Sequence, residues 1–202
     1  MVPKAATRRT RKVRNTATPE DQYAAILAAA TTEFTDVGIR RANIDEVARR
    51  AGVSRSTLYR RFPNKQALLM AVAEQHYEVG MRRLAAAARG LDPQGAVVAA
   101  LVEGAAMLSS EPLLRYLVLA NDEMKQITGA VTTLFIDLAT ERVAQTLREA
   151  GAAMPRQDLF EAVEIHVRLV ISFLETPPSD PERAAPDRVG AWAAKFLAPM
   201  IW

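Results

Sequence analysis

Residues 44–62 read Ile44-Asp-Glu-Val-Ala-Arg-Arg-Ala-Gly-Val-Ser-Arg-Ser-Thr-Leu-Tyr-Arg-Arg-Phe62. Asn43 precedes the run as a helix N-cap, with Glu46 three residues on in a box-like arrangement. Ile44, Val47, Ala48 and Ala51 recur at helical spacing, and Gly52 ends the helix because glycine takes left-handed backbone without a Cβ penalty. Ser54 caps a second short helix in which Leu58 and Phe62 share one face. Pro63 closes it, since proline disfavours helical geometry in the residue before it. Two short helices joined by Ala51–Ser54 form a helix-turn-helix. Val53 and Leu58 are expected to pack against Val47 and Ala48, which holds the second helix as a rod with its other face turned outward. That face carries Arg55, Ser56, Thr57, Tyr59 and Arg60. Guanidinium forks, hydroxyls and a phenol are the chemistry used on base edges and phosphates in a DNA major groove. Ser54, at the helix N-terminus, both caps it and offers donors to a phosphate oxygen. Lys65, in the first turn of the next helix, opposes the helix dipole, and a DNA phosphate is the expected reason for its position.

Working outward, Tyr23, Ile26, Leu27, Ala30, Phe34 and Val37 fall on one face of a helix that starts at Pro19 and stops at Gly38. Glu20 and Asp21 sit in its first turn, where carboxylates suit the positive end of the dipole. Asn64 caps a long helix running to about Arg89. Further helices are predicted at about 93–109, 111–119, 122–150, 156–175 and 186–199. The breaks are Asp92-Pro93, Glu111-Pro112, Gly151 with Pro155, and the proline-rich loop Thr176–Pro186. No strand-like alternation of useful length occurs, so the fold class is all-α with about nine helices. The expected organisation is a basic arm over 1–18, a helix-turn-helix domain over 19–65 and a helical domain over 66–202.

Charge divides the chain in the same way. Residues 1–65 hold fourteen Lys/Arg against six Asp/Glu, a balance of +8 that leaves −5 for the remainder. A basic module on an acidic body points to a polyanion as partner, and Arg8, Arg9, Arg11, Lys12 and Arg14 would add phosphate or minor-groove contacts. Cysteine is absent and only His76 and His166 are present, which excludes thiolate chemistry and a histidine-rich metal site. No cofactor, metal or catalytic constellation is expected: Glu161 and Glu164 flank no carboxylate–histidine set, and the reading is not that of an enzyme. The apolar runs are too short for a membrane span and residues 1–19 contain no signal-peptide h-region, so a cytoplasmic location is expected.

The segment Ala51-Gly-Val-Ser-Arg-Ser-Thr-Leu-Tyr-Arg-Arg-Phe-Pro-Asn-Lys-Gln-Ala-Leu68 resembles the DNA-binding module of the TetR family of transcriptional regulators, over about residues 20–70. The resemblance implies a homodimer, a three-helix DNA-binding domain and a helical C-terminal domain housing a small ligand, with the last two long helices building the dimer interface. Carried onto this sequence, it implies Ser54, Arg55, Thr57, Tyr59, Arg60 and Lys65 as contacts to a double-stranded operator, with Leu58 and Phe62 as core. Asn43 and Ser56 are included with the DNA face. They depart from the commonest pattern, in which a threonine precedes the first motif helix and a smaller residue stands at the second position.

The C-terminal part carries no motif. Residues 159–174 are apolar nearly all round, so that helix must be covered on several sides, with a second subunit as one cover. Phe160, Val163, Val167 and Val170, together with Trp192 and Phe196 of the last helix, are the candidate interface. Met107, Leu108, Leu117, Met124, Ile127, Val131, Phe135, His166 and Phe173 are the candidate pocket, with Leu113, Leu114 and Tyr116 as further members. Asn121, Gln126, Thr132 and His166 are possible polar anchors. Ordinary core packing competes for every apolar member, but as a set they imply a largely hydrophobic ligand. The expected function is a DNA-binding regulator, a repressor released by such a ligand. The alternative is a helical carrier or enzyme whose basic segment binds nucleic acid nonspecifically.

Overall fold

Thr18 opens the first helix. Its side chain accepts from the Asp21 N–H, and Asp21 in turn accepts from the Thr18 N–H, so two orphan donors are satisfied reciprocally. The computed structural model describes residues 18–118, 122–176 and 179–202, and the side chains of these except 118, 122–135, 174, 181, 184 and 186. Among the described residues the chain forms nine α-helices and two short 3-10 turns, with no strand. They are α1 (Pro19–Val37), α2 (Ile44–Arg50), α3 (Arg55–Arg61), α4 (Lys65–Ala87), α5 (Pro93–Ser110), α6 (Pro112–Val118), α7 (Asp122–Glu149), α8 (Arg156–Glu175) and α9 (Pro186–Phe196). The 3-10 turns are Pro181–Ala184 and Ala198–Met200. The last helix stops three residues short of the expected 199: Pro199 disfavours helical backbone at Ala198, and the chain tightens into the second 3-10 turn.

Two apolar cores organise these helices. The first joins Ile26, Leu27, Ala30 and Phe34 of α1 to Val47 and Ala48 of α2, Leu58 of α3, and Leu68, Leu69 and Val72 of α4. Leu113 of α6 belongs to it, with Tyr116 and Leu117 against its edge. Tyr23, expected on the buried stripe, instead lies at the rim: it is partly exposed, its ring is 5.7 Å from that of Phe62, and the Arg61 guanidinium rides over it at 5.9 Å.

The second core gathers Ala96 and Val97 of α5, Leu147 of α7, Leu159 and Val163 of α8, and Leu197, Ala198 and Ile201 at the C-terminal end. Here α9 lies along α5, and α8 along α7. The α5–α9 approach is close enough that a Cβ on Gly190 would stand 3.0 Å from a Val102 methyl. A pairing of α8 with α9 over their length, suggested by their apolar patterns, is not what forms. Their contact runs through Phe173 and Trp192, edge to face at 5.2 Å.

Candidate DNA-binding face and the cavity behind it

The turn between α2 and α3 is built by one backbone device. Val53 N–H donates to Ala48 C=O and Gly52 N–H to Arg49 C=O, the paired bonds of a Schellman ending, with Gly52 at φ +66°. A left-handed residue is required there, and nothing lies within 4 Å of where its Cβ would be, so the glycine serves the backbone and not a steric fit. Leu58 is fully buried on the inner face of α3. Ser54, Arg55, Ser56, Tyr59 and Arg60 are exposed on the outer side, and Thr57 is half-buried between. Ser54 caps α3 by accepting from the Thr57 N–H at 3.1 Å, and its Oγ lies 3.0 Å from that of Ser56 and 2.8 Å from Oγ1 of Thr57. The hydroxyls form one cluster at the start of the rod.

Ion pairing sorts the cations of this domain. Arg49 is held by Glu46, and Arg50 reaches Asp36, Glu46 and Glu33 at 3.0, 3.1 and 3.4 Å. Those two guanidinium groups hold the Glu46 carboxyl down to about pKa 2. Arg61 donates to Pro19 C=O, and Arg55 pairs with Asp45 at 2.9 Å. Arg60, by contrast, makes no ion pair or hydrogen bond with the described residues. It stands beside Tyr59, whose phenol is equally unengaged. Lys65 has an intramolecular explanation: its Nζ donates to Arg40 C=O at 2.8 Å and Ala42 C=O at 3.3 Å, closing the loop between α1 and α2. The opposing helix dipole is offset by these carbonyls without any phosphate. Asn43 is exposed and caps α2 through the Asp45 N–H. The box expected with Glu46 does not close, because Glu46 turns to the two arginines. Glu33, ten residues upstream and buried on α1, accepts the Asn43 N–H instead at 3.1 Å. The basic arm residues Arg8, Arg9, Arg11, Lys12 and Arg14 lie outside the described residues.

Behind the head, helices α4 to α9 line an open-mouthed cavity of about 780 Å³, within the range of small-molecule sites. Met107, Leu108, Leu114, His166 and Phe173 line it, as do Val163, Val167, Val170, Trp192 and Phe196, which the sequence pattern had placed at a subunit interface. Phe160 does not line it. Leu117, a candidate pocket residue, packs elsewhere, on the head core, because α6 presents Leu113, Tyr116 and Leu117 toward α1. Met124, Ile127, Val131 and Phe135, with Asn121, Gln126 and Thr132, lie outside the described side chains. Gly80 of α4 keeps the chamber open where a Cβ would meet the Met107 methyl at 3.0 Å. His166 is 6% exposed and its Nε2 has no hydrogen-bond partner among the described residues. Burial holds this imidazole below its ordinary pKa, an effect only partly offset by the Leu197 backbone, so the ring is neutral at pH 7. No group of His, Asp and Glu among the described residues is placed to hold a metal ion, and no described helix is long and apolar enough to cross a membrane.

A helix-turn-helix head with an outward-facing rod, joined by α4 to a hollow helical body, is the architecture of a class of DNA-binding regulators. The model of the bacterial regulatory proteins of the tetR family matches residues 26–72, and that of the bacterial tetracyclin repressor C-terminal domain matches residues 92–194. The chain belongs to the TetR family of transcriptional regulators. An uncharacterized HTH-type transcriptional regulator of Mycobacterium bovis is 39% identical over 59 residues, 29% of this chain and 31% of that protein. The HTH-type transcriptional activator FasR of Mycolicibacterium smegmatis is also 39% identical over 59 residues, 29% of this chain and 27% of its own length. The aligned stretch thus spans under a third of these curated relatives. Solved structures match far more of the chain. The TetR family repressor AlkX of Dietzia, implicated in biodegradation of n-alkanes, has a TM-score of 0.66 at 23% identity, covering 88% of this chain and 98% of that one. SmeT, repressor of the multidrug efflux pump SmeDEF of Stenotrophomonas maltophilia, has a TM-score of 0.62 at 24% identity, covering 90% and 92%. These structural likenesses concern the fold.

Proposed function

We propose that this chain is a homodimeric repressor whose α3 rods enter successive major grooves of an operator, and that a largely apolar small ligand in the body cavity releases it. The observation that carries the reading is the sidedness of α3: Leu58 is locked in the core while Tyr59 and Arg60 face outward without partners among the described residues. Asn43, Ser54, Arg55, Ser56 and Thr57 border the same surface. Lys65, bonded to the α1–α2 loop through two of its three ammonium donors, shapes that surface and keeps one N–H for a phosphate. The head spans residues 19–65 and its core continues into the first two turns of α4, so a shift of α4 moves the rod.

Release requires a ligand that prefers the wrongly spaced dimer, and the shift it causes is limited by its differential affinity for the two states. The neutral Nε2 of His166, without a hydrogen-bond partner among the described residues, supplies a polar contact inside a largely apolar chamber. The cover for α8 is a second copy of the chain: Ile165 is 47% exposed on that helix and does not line the cavity.

The test is a gel-shift titration on the DNA flanking the chain's own gene. Arg60→Ala and Tyr59→Ala are each expected to weaken specific binding at least tenfold, consistent with the ~1–3 kcal/mol of a good base or phosphate contact, while thermal stability stays unchanged. Specific binding that survives either change within a factor of two removes α3 from the interface. Equal competition by bulk DNA favours instead a carrier with a nonspecific basic segment.

A further inference from the structure

The cavity has a sign. Residues 66–202 carry seventeen Asp/Glu and twelve Lys/Arg, so acids outnumber bases in the body. Yet Arg115, Arg142, Arg183, Arg188 and Lys195 line the cavity, and no described Asp or Glu does. All five are exposed as well as lining, which places them at the mouth beside the exposed rings of Phe173 and Phe196, while buried Val97, Met107, Leu147 and Val163 line the interior. Arg142 reaches Glu78 at 3.4 Å. Arg183, Arg188 and Lys195 make no ion pair or side-chain hydrogen bond with the described residues, although Lys195 rests over the Phe196 ring at 5.1 Å.

Three of these cations belong to one structural unit. Arg188 and Lys195 are seven residues apart on α9, two turns of one face, with Ala191 and Trp192 between them also lining the cavity. Arg183 sits in the 3-10 turn that leads into α9. We propose that the ligand of this cavity is an amphiphilic anion, with an apolar body in the chamber and a carboxylate or phosphate head held at the mouth by Arg183, Arg188 and Lys195. This inference rests on the reading of the cavity as the effector site and names the chemical class it accepts. Apolar burial supplies the affinity, and the unpaired cations reject positively charged and disfavour neutral amphiphiles of equal length.

The test uses the full chain and four ten-carbon probes below their micellar concentrations: decanoate, decyl phosphate, decanol and decyltrimethylammonium, with binding read by calorimetry. Decanoate or decyl phosphate is expected to bind at least tenfold more tightly than decanol, and decyltrimethylammonium more weakly still. Whichever of the two anions binds better identifies the head. The double variant Arg188→Gln/Lys195→Gln is expected to lose that tenfold preference while binding decanol as the parent does, and raising salt is expected to erode anion binding alone. Decanol or decyltrimethylammonium binding as tightly as both anions overturns the proposal and leaves the apolar effector site standing. So does an anion preference that the double variant retains. Binding by none of the four overturns both.

Discussion

Glu33 and His166 are polar side chains buried to more than nine-tenths, and each is explained by what it does across the chain and not by its neighbours in sequence. Glu33 accepts the Asn43 N–H and faces Arg50 at 3.4 Å, so one carboxylate ties α1 to the start and the end of α2. In the sequence it is one acid on a helix. His166 is different: its ring is kept neutral by burial, and that couples folding to pH. Because its pKa is depressed in the folded chain, the unfolded chain binds the extra proton first. The stability that His166 contributes is complete above the ordinary imidazole value of 6.5 and is lost as pH falls below it. The thermal midpoint is therefore expected to fall between pH 7 and 5.5, and His166→Leu is expected to reduce that fall. Parallel falls in parent and variant would show that the ring does not titrate in this way.

At the scale of elements, the α2–α3 turn controls the direction of the recognition rod. Gly52→Ala keeps every packing contact, since the added methyl meets open space, but forces a Cβ into left-handed backbone. The expected loss is about 1–2 kcal/mol of stability from the local strain alone, measured by urea unfolding monitored by circular dichroism. A loss near zero would show that the turn has a second backbone solution. Lys65 shows what an element read alone leaves out: its charge at a helix N-terminus points to a phosphate, and the structure adds two loop carbonyls as partners. The helix-turn-helix was legible because its signals are local. A cap, a stop glycine and a closing proline each act within a few residues. The α5–α9 seam was not legible, because the close approach at Gly190 depends on a residue nearly ninety positions away.

At the scale of the molecule, the hollow body leaves apolar surface that a single chain does not cover. Ile165 of α8 and Leu138 of α7 are 47% and 48% exposed on two helices that pack together, and neither lines the cavity. Ile165→Asp is expected to leave the proposed dimer a monomer in sedimentation and to abolish operator binding, since two half-sites about one DNA turn apart need two linked heads. Its cavity should still bind ligand. A dimeric Ile165→Asp variant that binds operator normally would move the interface off this face.

The amino-acid order alone settled that the chain is all helical, where most helices begin and end, and which short rod bears the arginine and the phenol. Caps, breakers and apolar periodicity act over one or two turns, and a linear text displays them directly. Folding in three dimensions settled which cations remain unpaired among the described residues, that Glu33 rather than Glu46 completes the start of α2, and that Val163, Val167, Val170, Trp192 and Phe196 face a chamber. An apolar side chain at helical spacing reads the same whether it meets a core, a cavity or another subunit. Only the path of the neighbouring helices, here α9 lying along α5 and α8 along α7, separates those fates.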